Sequence, residues 1–121
     1  MDSPDFPIVR TKHGLYFKPA DFYLDPKRKS EKAVISHAHA DHAIASNDEV
    51  WCTPGTAASM RARYGDKLKS KMNLVHFDEP FIINGVRISF HGAGHVLGSA
   101  QTLMEFNGVK YCYTGDFKTR S

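Results

Sequence analysis

The sequence contains only two cysteines, Cys52 and Cys112, and their spacing is not that of a zinc knuckle. Each lies inside a short apolar run, Val-Trp-Cys-Thr or Lys-Tyr-Cys-Tyr-Thr, and no Cys-x-x-Cys motif is present. A cysteine in such a run most often acts as a small buried hydrophobe. Structural disulfides are rare in cytoplasmic proteins, so we expect both cysteines to be free thiols.

Long apolar segments and a strong charge bias are also missing. No stretch approaches the ~20 apolar residues that a membrane-spanning helix needs, and the N-terminus lacks the basic-then-apolar order of a signal peptide. The net charge is only +3, from 16 Lys and Arg against 13 Asp and Glu, and 41% of the residues are hydrophobic. These features predict a cytoplasmic globular chain of one domain or part of one, without a membrane partner.

Basic residues occur in two groups, at residues 27–32 and at residues 67–71. Such runs are usually solvated faces of a globular protein. Contact with phosphate groups is the alternative interpretation, because neutralising a nucleic-acid backbone needs several positioned cations.

Alternating apolar residues and turn signals predict mainly strands with one helix. The helix is expected from Pro54 to about Tyr64, with Thr53 as N-cap and Gly65 as its end. Residues 8–17 suit a hairpin that turns near Gly14. Further strands are predicted at residues 21–25, 33–36, 50–53, 73–77, 81–83, 86–91, 101–106 and 109–114.

Two Asn-Gly pairs mark tight hairpin turns between the later strands, at residues 84–85 and 107–108. The mixture of strand–helix and hairpin steps predicts an α/β fold in which a mixed sheet is covered by helices. Such a fold class implies no function by itself.

The segment after the strand at residues 33–36 concentrates metal-ligand side chains. His37, His39, Asp41 and His42 place three imidazoles and one carboxylate within six consecutive positions. In a near-extended loop, residues two apart point the same way, so His37 and His39 can hold one ion, while Asp41 and His42 can face a second. Nitrogen and carboxylate ligands together suit zinc or a similar divalent ion.

Two later motifs can complete this site. His95 lies in a glycine-rich loop after a strand and would be the third protein ligand of the first ion, leaving an open position for water as in catalytic zinc sites. Asp116 follows another strand and can bridge two ions. His13, His76 and His91 belong to no motif, and we expect them to be surface or structural histidines, with His91 the first candidate for an exception.

These motifs resemble a known family. His-Ala-His-Ala-Asp-His, Gly-His-Val-Leu-Gly-Ser and Thr-Gly-Asp-Phe, in this order, are similar to the successive metal motifs of metallo-β-lactamase-fold hydrolases. Asp-Phe-Tyr-Leu-Asp-Pro-Lys-Arg, Asn-Gly-Val-Arg-Ile-Ser and Gly-His-Val-Leu-Gly-Ser-Ala-Gln resemble the beta-CASP nuclease branch. Within that branch the likeness is to ligase-associated DNA exonucleases, also described as mRNA 3′-end processing factors.

The resemblance implies a zinc-dependent nuclease that hydrolyses phosphodiester bonds in DNA or RNA, with two zinc ions, manganese being possible. It implies nucleic acid as partner and suggests an ATP-dependent DNA ligase as another. Asp41 would orient or deprotonate the attacking water. Asp25 matches the aspartate that supports the site from behind, since ligating histidines commonly donate their other N–H to a carboxylate. The ligands implied are His37, His39 and His95 on one ion, Asp41 and His42 on the other, and Asp116 as the bridge.

Members of this branch continue well past the Thr-Gly-Asp motif. We therefore expect residues 1–121 to be the first half of an αββα metallo-β-lactamase sandwich, without its C-terminal half and beta-CASP insertion. Two alternatives stay open: a hydrolase of thioesters or lactones, since the histidine motif is shared across substrates, and a non-catalytic metal-binding fragment.

Overall fold

A computed structural model describes residues 7–36, 44–92 and 100–113. One helix, α1, extends over Pro54–Tyr64, and short 3-10 turns occur at Lys18–Ala20 and Gly65–Lys67. The strands are β1 Ile8–Arg10, β2 Leu15–Phe17, β3 Phe22–Leu24, β4 Lys32–Val34, β5 Glu49–Cys52, β6 Lys71–Leu74, β7 Phe81–Ile83, β8 Val86–Gly92, β9 Ala100–Phe106 and β10 Val109–Tyr113.

These strands form two sheets. The first is mixed and has the order β1-β2-β3-β4-β5-β6, with antiparallel pairing up to β3 and parallel pairing from β3 to β6. The second is antiparallel and has the order β10-β9-β8-β7. Both Asn-Gly turns lie where the sequence predicts them, and each Asn adopts a left-handed φ, 46° at Asn84 and 52° at Asn107.

Helix α1 begins and ends as its capping residues predict. The Thr53 hydroxyl accepts a hydrogen bond from the Thr56 N–H at 3.3 Å, Pro54 takes the first turn, and Gly65 ends the helix with φ 53°. One face of α1 packs on the first sheet. The apolar cluster between them consists of Ala33, Ile35, Val50, Cys52, Ala57 and Met60.

The main core lies between the two sheets. Phe17 of β2 is fully buried, stacks on Phe22 at a ring-centroid distance of 5.3 Å, and meets Phe106 and Tyr111 of the second sheet edge-on at 6.0 Å. The described residues therefore form three layers: helix, first sheet and second sheet. Among them, no helix is long and apolar enough to cross a membrane.

The prediction of a strand at residues 73–77 is wrong, because β6 is Lys71–Leu74. Its partner β5 has four residues and ends where Thr53 caps α1. The last hydrogen bond between the two strands is therefore the one that the Val75 N–H donates to the Cys52 carbonyl at 2.9 Å. Asp78 then turns the chain with φ 62°. The length of the partner strand therefore determines where β6 ends. The hydropathy alternation of residues 73–77 gives no information about that length.

Both cysteines are free thiols, as predicted. Burial raises the pKa of Cys52 from its ordinary 9.0 to about 12, while Cys112 is half-buried. In a Cys112→Ser variant, we expect Cys52 of the folded chain not to react with Ellman's reagent at pH 8 and to react rapidly in urea.

The raised pKa also makes stability depend on pH. The unfolded thiol ionises near 9.0, so this contribution to folding is present below that pH and is lost as pH rises toward about 12.

In the test with Ellman's reagent, native Cys112→Ser protein that reacted as fast as its urea-unfolded form would contradict the burial of Cys52.

Candidate functional site

The first sheet brings several strand ends to one side of the molecule. Strands β3, β4 and β5 run parallel, so their carboxyl ends meet at the same edge. Asp25 directly follows β3, Ser36 lies two residues after β4, and Thr53 follows β5. The segment at residues 37–43 therefore leaves the sheet from this edge. Loops at the carboxyl ends of strands on a rigid sheet commonly carry functional residues.

The second sheet repeats this arrangement. Strands β8 and β10 are both antiparallel to β9 and therefore run in the same direction. In register, Thr102 of β9 pairs with Phe90 on one side and Tyr113 on the other, so the carboxyl ends of β8 and β10 lie at one edge. Gly92 and Tyr113, the last described residues before residues 93–99 and residues 114–121, therefore lie at this edge.

Three hydrogen bonds between segments that flank the two sheets show that these edges lie on the same side. At the opposite side, the Asn84 amide donates to the Ala20 carbonyl at 2.6 Å and joins the start of β8 to the start of β3. At the carboxyl ends, Asp78, which comes after β6, donates its N–H to the Phe90 carbonyl at 2.7 Å. The Asp78 carboxylate also binds Nδ1 of His91 at 2.7 Å.

We call this side of the molecule the site edge and define it by Asp25, Ser36, Gly92 and Tyr113. The three segments that carry the predicted metal ligands all start from it. The ligands themselves lie outside the described residues and remain predictions: His37, His39, Asp41, His42, His95 and Asp116. Within residues 7–36, 44–92 and 100–113, no three His, Cys, Asp or Glu side chains are grouped to hold an ion.

Asp25 is the one predicted site residue that the structure describes, and it contacts Ser36, the residue before the histidine segment. It is 4% exposed and adopts a left-handed φ of 46°, which aspartate tolerates better than most residues. Its Oδ1 accepts the Ser36 N–H at 2.8 Å, and its Oδ2 accepts the Ser36 hydroxyl at 2.5 Å. Ser36 is 1% exposed and immediately precedes His37. A buried carboxylate therefore holds the residue from which the histidine segment begins.

His91 has a structural role although it lies near the site edge, next to the last residue of β8. Its Nδ1 binds the Asp78 carboxylate at 2.7 Å and its Nε2 binds the Ser89 hydroxyl at 2.9 Å. Both ring nitrogens are therefore engaged, and none is available to an ion. The pairing with Asp78 joins the second sheet to the chain that leaves β6.

The sequence did not indicate two polar side chains near the site edge. Ser36 was predicted only as the end of a strand, because no local pattern reveals its contact with Asp25, eleven residues earlier. The hydroxyl of Thr102 is buried between the sheets and has no hydrogen-bond partner within the described segments. A polar residue in an otherwise alternating strand is the only sequence signal that Thr102 offers.

Comparison with known proteins identifies relatives of this chain. It is 39% identical over 113 residues to a probable DNA ligase of Opitutus terrae, covering 93% of this chain and 11% of that protein. It is 30% identical over 105 residues to an RNase J-like protein of Methanocaldococcus jannaschii, covering 71% and 25%. It is 26% identical over 123 residues to cleavage and polyadenylation specificity factor subunit 3-I of Arabidopsis thaliana, covering 78% and 18%. The chain thus spans a quarter or less of these relatives, and no family model matches it.

Solved structures share the architecture of the chain. A protein of unknown function from Enterococcus faecalis superposes with a TM-score of 0.58 at 14% identity, over 72% of this chain and 25% of that one. The flavodiiron protein of Giardia intestinalis superposes with a TM-score of 0.53 at 18% identity, over 68% and 22%. The predicted α/β fold with a mixed sheet is confirmed by this likeness.

Proposed function

We propose, because this chain is related to the beta-CASP nucleases of the metallo-β-lactamase fold, that it is the metal-binding part of a metal-dependent nuclease. The reaction would be hydrolysis of phosphodiester bonds in DNA or RNA. The observation that carries this proposal is the arrangement at the site edge. Three segments that carry the predicted His and Asp ligands start from one side of two packed sheets, and a buried carboxylate binds Ser36, from which the first of them starts.

The residues present fit a divalent metal site. Imidazole and carboxylate ligands suit zinc, with manganese as the alternative, and the buried Asp25 carboxylate lies where a ligand-orienting group is expected. We assign His37, His39 and His95 to one ion, Asp41 and His42 to a second, and Asp116 to both. When bound, such ions lower the pKa of water and stabilise negative charge on a phosphoryl group.

The protein residues supply orientation and proton transfer. Asp25 accepts both donors of Ser36, which fixes the backbone direction from which His37 extends. Asp41 would orient the attacking water and accept its proton, because a general base must lie within hydrogen-bond reach of that proton. Asp25 is therefore a positioning residue, and Asp41 is the proposed catalytic residue.

The names of the relatives support both kinds of nucleic acid as substrate. The probable DNA ligase supports DNA, and its name is the reason to propose a DNA ligase as a partner. The RNase J-like protein and the polyadenylation factor support RNA. The assay that tests the function therefore compares both polymers.

The test is cleavage of labelled single- and double-stranded DNA and RNA by the full-length protein, with zinc or manganese supplied. We expect cleavage that a chelator stops and that His39→Ala removes together with bound metal. His76→Ala is the matched control, because His76 is an exposed histidine outside every motif, and it should keep both. Cleavage by the His39→Ala variant at the parent rate would refute the proposal. So would hydrolysis of thioesters or lactones without any cleavage of nucleic acid.

A further inference from the structure

A row of three half-buried aromatic rings lies on the face of the first sheet that also carries α1. The Tyr16 and Tyr23 rings have centroids 4.8 Å apart, and the His13 ring is 5.6 Å from Tyr23. We call His13, Tyr16 and Tyr23 the aromatic row. His13 and Tyr16 lie outside the quoted motifs, whereas Tyr23 belongs to the Asp-Phe-Tyr-Leu-Asp-Pro-Lys-Arg motif, in which only Asp25 was given a role.

Strand alternation explains why these rings stay accessible. Tyr16 and Tyr23 are paired in register, and their neighbours Phe17, Phe22 and Leu24 point into the inter-sheet core. Helix α1 packs on the same face over β4, β5 and β6, so it leaves the rings on β2 and β3 half-exposed.

Tyr16 is held in place by its hydroxyl, which donates to the Asp21 carboxylate at 2.6 Å. This hydrogen bond orients the ring and raises the pKa of Tyr16 to about 12. A neutral, oriented ring does not repel a phosphate group.

A basic segment lies directly beside the aromatic row. The Lys27 N–H donates to the His13 carbonyl at 2.7 Å, so the segment is tied to the β1–β2 turn. Lys12 in that turn, Lys27 and Arg28 are exposed and form no ion pair among the described residues. Their charges therefore face solvent next to the rings.

The charge of the chain is concentrated in this region. Residues 7–32 contain seven Lys and Arg against three Asp and Glu, whereas the whole chain has a net charge of only +3. Of the three acids, Asp25 is buried and Asp21 accepts from Tyr16. Lys29 pairs with Asp48 at 3.5 Å and Lys32 with Glu31 at 3.6 Å, so five of the seven cations, among them Lys12, Lys27 and Arg28, lie outside these two ion pairs.

The surface begins at the site edge. Leu15, which starts β2, pairs with Leu24, and Leu24 directly precedes Asp25. The β1–β2 turn and the basic segment therefore lie at the carboxyl end of β3, where the histidine segment also starts. A polymer bound along the rings would have one end at the site edge.

From this juxtaposition we propose that the aromatic row and the basic segment bind single-stranded nucleic acid and lead it to the site edge. The inference rests on the proposed nuclease function and adds where the substrate strand lies. Unpaired bases stack on aromatic rings, and adjacent cations neutralise the phosphates between them. Duplex bases are already stacked on each other, so the rings would discriminate in favour of single strands.

The test is binding of fluorescein-labelled oligo(dT) and oligo(U) by the full-length protein, measured by fluorescence anisotropy with EDTA present to prevent cleavage. We expect Tyr23→Ala to weaken binding at least about fivefold, as loss of one stacked base does, and Tyr23→Phe to restore it. Phe77→Ala, which removes a 40% exposed aromatic elsewhere, should leave affinity unchanged.

The cations are tested by salt dependence. Lys27→Ala combined with Arg28→Ala should reduce the slope of log K against log salt by about 1.4, at about 0.7 for each single-strand phosphate contact. The matched control is Lys67→Ala combined with Lys69→Ala in the other basic group, which should keep the parent slope.

The outcomes separate the two proposals, because binding is measured without metal. Tyr23→Ala protein that is folded by circular dichroism and binds like the parent would overturn the inference, even if cleavage occurs. The same assay is run with a labelled duplex and with phosphatidylserine vesicles. If Tyr23→Ala weakened binding of the duplex as much as binding of single strands, the inference would be overturned. It would also be overturned if the Lys27→Ala/Arg28→Ala variant lost binding to the vesicles but kept its binding to single strands. Absence of cleavage alongside Tyr23-dependent binding would instead reject the nuclease function alone.

Discussion

Asp25→Ala should destabilise the fold by about 2–5 kcal/mol and weaken zinc binding about 10- to 100-fold, although it removes no predicted ligand. The substitution leaves the Ser36 N–H and hydroxyl without the carboxylate that accepts them in a buried position. Each buried donor that loses its acceptor costs about 1–3 kcal/mol. Ser36, from which the histidine segment starts, would also lose the contact that orients it.

The measurements are urea unfolding without metal and zinc competition against a chromogenic chelator. Asp21→Ala is the matched control, because Asp21 is also an aspartate with a left-handed φ, of 55°, but its hydrogen bond to Tyr16 is exposed. It should change stability by less than about 1 kcal/mol and leave zinc affinity unchanged. If Asp25→Ala kept the zinc affinity of the parent, Asp25 would be only a turn residue.

Phe17→Ala should cost about 3–5 kcal/mol of unfolding free energy, the range for deleting a buried aromatic ring. Phe17 is fully buried and is one of the side chains through which the two sheets meet, with Phe22 on its own sheet and Phe106 and Tyr111 opposite. Removing the ring leaves a cavity that neither sheet can fill without moving.

Thermal and urea unfolding of Phe17→Ala and Phe17→Leu measure this effect, with the leucine variant losing less because it fills part of the cavity. Ile82→Ala, at a side chain that is 62% exposed, should change stability by less than about 0.5 kcal/mol. A Phe17→Ala variant as stable as Ile82→Ala would mean that the sheets are not held together through this ring.

The amino-acid sequence by itself determined the features that depend on neighbouring residues. The bounds of α1 follow from Thr53, Pro54 and Gly65, because capping acts within one turn of helix. The two Asn-Gly hairpins follow from backbone conformations that few residues adopt. The prediction of a metal site rests on the density of His and Asp within six consecutive positions, which is also a local property, whereas the nuclease prediction rests on the resemblance of the motifs to those of beta-CASP nucleases.

Only the tertiary structure decided how distant segments meet. It ended β6 at Leu74, because Leu74 pairs with Cys52, the last residue of the parallel partner β5. It also brought Ser36 into contact with Asp25, which lies eleven residues earlier in the chain. It also put the carboxyl ends of β3, β4 and β5 on the same side as those of β8 and β10, through contacts such as the hydrogen bond of Asn84 to Ala20. Pairing partners, register and inter-sheet packing depend on residues far apart in the chain, and hydropathy alternation within one segment carries no information about them.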